Sequence, residues 1–223
     1  EITERLEGIN LEAQLGKYPV RSISMEHARR RKLLRVQNFL PNYFKALKGM
    51  VDFKLIAKSG LNFAHEALFG VGAGCFEELL AGTRCRVRTF NGEHDPNFGG
   101  LNPEPIEHNY ARSRAALQKQ PADFCLATDG DADRIGGMDG RGNALTTHQI
   151  ICLLLHHFLK NRKGQGRVVK ALTTTSMVDV ICNRHNLPLT ETGVGFKHIC
   201  KEMLQGDVLL GFEESGGIGF PSH

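Results

Sequence analysis

Short apolar runs alternate with stretches of helical period along most of this chain. Apolar side chains at helical spacing over 41–48 begin a compact unit. Residues 61–68 predict a strand, 70–74 a glycine loop, 75–80 a helix and 85–90 an alternating strand. A long loop over 91–105 leads to a helix over 107–119. The apolar run at 123–127 predicts a buried strand and 135–138 a second one. A second unit begins near Thr146, with Thr147 placed to cap a helix over 148–160. A turn at 163–166 and a strand over 167–172 follow, and Ser176 is placed to cap a helix over 177–185. A strand over 187–191, a helix over 196–204 and a strand over 208–212 complete the pattern. The alternation predicts two consecutive α/β domains with mixed sheets flanked by helices. The chain divides as 1–38, 39–144 and 145–223. The first segment is charged and mostly helical in pattern, with a break near 16–19, and lacks a core of its own.

At 223 residues the chain can bury one large core or two of ordinary size. Hydrophobic content of 41% and charged content of 23% are globular values. No apolar run approaches the roughly 20 residues of a membrane span, so no membrane partner is expected. The N-terminus has neither the basic nor the apolar region of a signal peptide. It also lacks an initiator Met, which reads as a fragment. The six cysteines are scattered and never form C-x-x-C. Buried free thiols in a reducing, cytoplasmic setting are expected, not disulfides or a zinc site. Net charge is +4. The basic run Arg29-Arg30-Arg31-Lys32 with Arg35 reads as a solvated helix face. No aromatic platform or nucleic-acid motif accompanies it, so no nucleic-acid partner is expected.

Most of the chemistry lies in Ala127-Thr128-Asp129-Gly130-Asp131-Ala132-Asp133-Arg134. Three carboxylates stand two residues apart between small residues and are closed by an Arg. Such a set repels itself unless a cation neutralises it. A hard divalent ion such as Mg²⁺ takes oxygen ligands and often leaves a place for a phosphate. An EF-hand loop would need Gly at its sixth position and Glu at its twelfth. Those places hold Arg134 and Gly140, which excludes it. A haloacid-dehalogenase-type phosphatase also sets D-x-D after an apolar strand, but continues with Thr or Val where this chain has Asp133. A solvated acidic turn is the remaining alternative.

Three other loops could bind ligands. Gly211-Phe212-Glu213-Glu214-Ser215-Gly216-Gly217-Ile218-Gly219-Phe220 follows an apolar strand, and its carboxylates and hydroxyl suit vicinal sugar hydroxyls. Thr192-Gly193-Val194-Gly195-Phe196-Lys197-His198 places glycines before a helix with a Lys in its first turn, which suits a phosphate or a reacting hydroxyl. Gly70-Val71-Gly72-Ala73-Gly74 is G-x-G-x-G, not the G-x-G-x-x-G of dinucleotide sites, and no acidic residue follows near position 91.

In this order, the loops resemble the α-D-phosphohexomutase family of phosphoglucomutases and phosphomannomutases. The resemblance runs from about Tyr43 to Phe220. It rests on Asp95-Pro96-Asn97-Phe98-Gly99-Gly100 with Asn102-Pro103-Glu104-Pro105, on the Asp129–Arg134 loop, on 192–197 and on the Glu-Glu-Ser-Gly-Gly loop. It implies a phosphohexomutase-like fold, with residues 1–38 ending a first domain and domains 2 and 3 following. It also implies interconversion of hexose 1-phosphate and hexose 6-phosphate through a bisphosphorylated sugar, with a phosphoserine and Mg²⁺. Asp129, Asp131 and Asp133 would then ligate Mg²⁺, and Arg134 would stabilise the phosphoserine or the leaving phosphoryl group. Glu213 and Ser215 would hold sugar hydroxyls. Gly195 and Lys197 would contact substrate, Lys197 near the reacting oxygens as acid or base. The partners implied are glucose or mannose 1- and 6-phosphates, together with the phosphoserine and phosphate-binding domains that this chain does not contain. Many relatives carry Asp and His where this chain has His65 and Phe69. The Glu-Glu-Ser-Gly-Gly form favours glucose or mannose phosphates, since phosphoglucosamine mutases typically carry Gln there. Two other classes stay open: a metal-dependent phosphatase with Asp129 as nucleophile, and a non-catalytic sugar-phosphate-binding module.

Overall fold

The computed structural model describes residues 23–221. The chain divides into two compact units, 1–43 and 44–223. The helical pattern and break read over 1–22 lie outside the described residues. Helix α1 (Met25–Arg30) starts where the Ser24 side chain accepts from the His27 N–H. Arg29 and Arg30 end this helix; Arg31, Lys32 and Arg35 lie beyond it, and all five are exposed.

Helix α2 (Leu40–Met50) follows the expected period. Helix α3 (Phe53–Ser59), unexpected from the pattern, is short but well delimited. Asp52 caps its start by accepting from Leu55 N, and Gly60 ends it at φ 69. The first sheet then forms from β1 (Asn62–Glu66), β2 (Arg86–Phe90), β3 (Phe124–Thr128), β4 (Ile135–Asp139) and β5 (Ala144–Leu145), in the order β2-β1-β3-β4-β5. The first three strands are parallel; β4 and β5 are antiparallel. Helices α4 (Cys75–Leu79) and α5 (Ala111–Lys119) connect them. The expected helix over 107–119 starts late, because Glu107–Asn109 is a tighter 3₁₀ turn. There the Asn109 amide donates to the Asn102 and Glu104 carbonyls and holds the preceding loop.

The second sheet contains β6 (Arg167–Ala171), β7 (Leu189–Thr192), β8 (Val208–Phe212) and β9 (Ile218–Gly219), ordered β7-β6-β8-β9. Its helices are α6 (Thr147–Lys160), α7 (Met177–Arg184) and α8 (Phe196–Met203). Three strands are parallel and β9 is antiparallel, so both sheets are mixed, as expected. Neighbouring residues of β6 serve opposite faces. Val168 packs with Ile151, Leu155 and Phe212, and Val169 with Ile199. Burial on both faces explains the continuous apolar run of β8, while in β6 the buried Lys170 is paired with Asp179 and Glu191.

Two helix caps differ from the expectation. Thr146, not Thr147, caps α6: its hydroxyl accepts from Gln149 N at 3.2 Å and Gln149 Oε1 accepts from Thr146 N at 2.8 Å. Thr147 is already helical. Ser176 precedes α7 in a helical conformation and makes no side-chain cap bond. Thr175 supplies the acceptor for Met177 N instead. The six cysteines are free. Among the described residues no helix is long and apolar enough to cross a membrane.

His65 and Glu66 end β1 fully buried. The His65 ring shares a hydrogen bond of 3.0 Å with Thr128 Oγ1 and packs edge-on against Phe76. Burial pulls its pKa down to about 4, against a smaller upward pull from the Glu77 carboxylate. The ring is therefore neutral in the folded chain, while in the unfolded chain it titrates near 6.5. Stability present at pH 7 is lost as pH falls through 6.5 towards 4. The loss between pH 7 and pH 5 is about 2 kcal/mol. His65→Gln keeps a hydrogen-bonding side chain and removes this linkage. The drop in melting temperature from pH 7 to pH 5 should be clearly smaller in the variant. Equal drops in both proteins would remove His65 as the linked group.

Candidate functional site

The loop 129–134 closes the β3–β4 hairpin, where Thr128 pairs with Ile135. Its three aspartates each bring an oxygen within 4.8 Å of the others. Asp129 is buried, whereas Asp131 and Asp133 are exposed. Arg134 turns back on Asp129. Its backbone N–H donates to Oδ1 at 3.0 Å and its Nε donates to Oδ2 at 2.8 Å. The same guanidinium lies 3.6 Å from Glu104 and 3.9 Å from Asp133. Burial alone would raise the Asp129 pKa, but the N–H and guanidinium of Arg134 outweigh it and hold the carboxyl below its ordinary value. Asp133 moves the opposite way, raised by burial and by the charges of Asp129 and Asp131. One cation thus serves a cluster of three anions, and hard oxygen donors remain unneutralised. That donor set fits a divalent cation of the Mg²⁺ type.

The glycine loop and the Asp-Pro-Asn-Phe-Gly-Gly loop support this cluster from below. Val71 N donates to Gly130 O at 3.0 Å, and Gly130 N donates to Pro103 O at 3.1 Å. A Cβ at Gly70 would lie 2.7 Å from both the Asp129 and Gly130 carbonyl oxygens. A Cβ at Gly130 would lie 3.1 Å from Pro103 Cγ and 3.3 Å from Phe98 Cε1. Asp95 fixes Phe98 by accepting from Asn97 N and Gly99 N. Gly70 therefore lets one backbone approach another, Gly72 makes room for the Thr128 hydroxyl, and Gly74 takes φ 76 before α4, needs that explain the three without a dinucleotide.

The loop after β8 faces the aspartates. Ser215 Oγ donates to Glu213 Oε1 at 2.6 Å, and Glu213 N donates to Gly217 O at 3.1 Å. A cleft of about 540 Å³ is lined by Asp129, Asp131, Asp133 and Arg134 on one side and by Phe196, Glu213, Ser215, Gly217 and Ile218 on the other. The structure thus brings the expected acidic loop, Arg134, Glu213 and Ser215 together. Gly195 precedes α8 at φ 112 and Lys197 is exposed in its first turn. Neither lines the cleft, although Phe196 between them does. Phe196, Gly217 and Ile218 were not anticipated as lining residues. Their sequence signal is membership of the two glycine loops.

Two family models match this chain. Phosphoglucomutase/phosphomannomutase α/β/α domain II matches residues 41–142, and domain III of the same family matches 146–223. The chain belongs to the phosphoglucomutase/phosphomannomutase family. A phosphoglucomutase/phosphomannomutase of Thermococcus kodakarensis is 30% identical over 84% of this chain and 41% of its own length. A phosphoglucosamine/phosphogalactosamine mutase of Sulfurisphaera tokodaii is 27% identical over 85% of this chain and 42% of its own length. Among solved structures, a Thermus thermophilus protein assigned as a phosphomannomutase superposes with a TM-score of 0.78 at 35% identity, covering 90% of this chain and 49% of its own. An Aspergillus fumigatus N-acetylphosphoglucosamine mutase, solved with GlcNAc-6P and magnesium, shares the fold at a TM-score of 0.55 and 23% identity, over 80% of this chain and 40% of its own. This phosphoglucomutase/phosphomannomutase-family chain spans less than half the length of each.

The packing beneath the aspartates can be checked directly. Gly70→Ala should destabilise the protein by about 1–3 kcal/mol, because the methyl group meets backbone atoms that cannot rotate away. Gly49→Ala in α2 has open space around the new Cβ and should be neutral or stabilising. Urea unfolding of the two variants measures the contrast. Equal midpoints would contradict the close approach at Gly70.

Proposed function

We propose that this chain is the central part of a phosphohexomutase acting on glucose or mannose phosphates. Residues 1–38 end a first domain, and 39–144 and 145–223 form the second and third. The observation that carries this reading is the single cleft into which both the Asp129–Arg134 loop and the Glu213–Ser215 loop project. Asp129, Asp131 and Asp133 would hold Mg²⁺, which supplies charge neutralisation for a transferring phosphoryl group. Arg134, held by Asp129, presents its remaining guanidinium N–H groups to an anionic oxygen. Phosphoryl transfer depends mainly on such positioning and charge stabilisation. Glu213 accepts from sugar hydroxyls, and these charge-assisted bonds orient the ring. The Ser215 hydroxyl, fixed by Glu213, adds a further polar contact. Gly195 stands at the start of α8 and Lys197 in its first turn, outside the cleft walls, from where Lys197 would have to extend to contact a substrate near the reacting oxygens. The phosphoserine and the distal phosphate site come from other domains of a longer protein.

The phosphatase alternative is the weaker reading. A nucleophilic Asp129 must be free to move onto phosphorus, but this side chain is 1% exposed and fixed by Arg134 at both oxygens, whereas ligation of a cation asks only for a remaining lone pair on an oxygen held in place. Glucose or mannose over glucosamine phosphate rests on the Glu-Glu-Ser sequence alone. The free thiols, with Cys125 and Cys182 buried, fit a reducing compartment such as the cytoplasm.

Mg²⁺ titrated calorimetrically into this chain should bind in the high micromolar range or weaker, because Asp129 is already engaged by Arg134 and a phosphoserine oxygen is lacking. Nanomolar binding would contradict this site. The chain alone should not convert glucose 1-phosphate to glucose 6-phosphate, whereas a polypeptide that also carries the phosphoserine and phosphate-binding domains should. In that longer protein Asp131→Asn is expected to lower turnover at least ~100-fold. Glu213→Gln should chiefly raise KM. Wild-type kinetics in the Glu213→Gln enzyme would sink the sugar assignment.

A further inference from the structure

The sugar loop is fastened at two points that the roles above leave unused. Glu214 lies between Glu213 and Ser215 but does not line the cleft. Its carboxylate accepts a hydrogen bond from the hydroxyl of Thr173, on the loop after β6. Glu213 and Ser215 line the cleft, whereas Glu214, between them in the turn after β8, is turned to Thr173 instead. On the opposite flank the Gly216 carbonyl accepts from Ile135 N at 3.1 Å. Ile135 is the residue directly after Arg134. Gly216 adopts φ 101, and a Cβ there would lie 2.8 Å from Ile135 O and 3.5 Å from Arg134 Cβ. Only glycine lets the two loops meet in this way.

We propose that Thr173 and Gly216 are positioning residues that clamp the sugar loop, Thr173 through Glu214 to the second sheet and Gly216 through Ile135 to the metal loop of the first. The proposal rests on the reading of Glu213 and Ser215 as sugar ligands. It divides the Glu-Glu-Ser sequence by role, with the first Glu and the Ser as ligands and the second Glu as an anchor. The anchor is a hydroxyl donating to a carboxylate, a charge-assisted bond stronger than a neutral one. It holds the loop so that the Gly216 carbonyl stays on the Ile135 amide. Glu213 and Arg134 are then joined by a few covalent links and one hydrogen bond. A shift of one carries the other, so the sugar ligands keep their distance from the guanidinium.

Amide hydrogen exchange tests the clamp in this chain without any ligand. Thr173→Val keeps the shape and removes the donor, and Thr173→Ser restores it. In Thr173→Val the Ile135 amide should exchange about tenfold faster. Thr173→Ser should match the wild type, and the amides of β1 should be unchanged in both. An unchanged Ile135 amide in Thr173→Val overturns the clamp. Gly216→Ala should accelerate the same amide, and Thr173→Val keeps the test decisive if that variant fails to fold. Titration with glucose 6-phosphate, followed by amide shifts at Gly217 and Ile218, reads the functional half. Thr173→Val should weaken binding several-fold and Thr173→Ser should not. If Glu213→Gln weakens binding and Thr173→Val does not, the positioning role is refuted while the sugar reading stands. If neither variant changes binding, the sugar reading itself has failed, and the exchange result still decides the clamp.

Discussion

Three carboxylate oxygens within 4.8 Å of one another cost electrostatic energy that the surrounding chain must offset. The offset comes mainly from Arg134, which follows the third aspartate directly and returns to the first through both its backbone and its side chain. That return forces a tight turn, with Ala132 at φ 62. The turn in turn needs a close floor, which Gly70, Phe98 and Pro103 supply. Each of these residues belongs to a separate segment of the chain. The acidic loop thus dictates what three other loops contain.

The α/β layering could be read from the sequence because burial leaves its mark on each element. Strand β8 is apolar throughout since both its faces are covered, and helix α6 keeps Ile151 and Leu155 at helical spacing on its buried side. The acidic loop was legible for a different reason. Its residues are contiguous, so the chemistry and the spacing appear together in one short stretch.

What was hidden depends on contacts distant in sequence or on fine backbone angles. Thr146 and Thr147 are identical in type, and only the extended backbone of Thr146 makes it the cap. The role of Gly70 is set by carbonyl groups some sixty residues further along. The Glu214–Thr173 bond joins different loops of the second sheet, so nothing near Glu214 distinguishes it from Glu213. Lys197 shows the converse: an apt residue in an apt motif, exposed and outside the cleft walls of this chain.

The hairpin origin of the acidic loop has an evolutionary corollary. Because β3 and β4 pair antiparallel from Thr128 and Ile135 onward, the loop has a fixed length as well as a fixed composition. Inserting or deleting a single residue would reverse the faces of β4. Met138, 1% exposed in the first core, would then be driven into the place of a glycine on the other face. Descendants of this sequence can therefore exchange side chains in the loop far more readily than they can change its length. Drift in this part of the gene should be recorded as substitutions rather than as gaps.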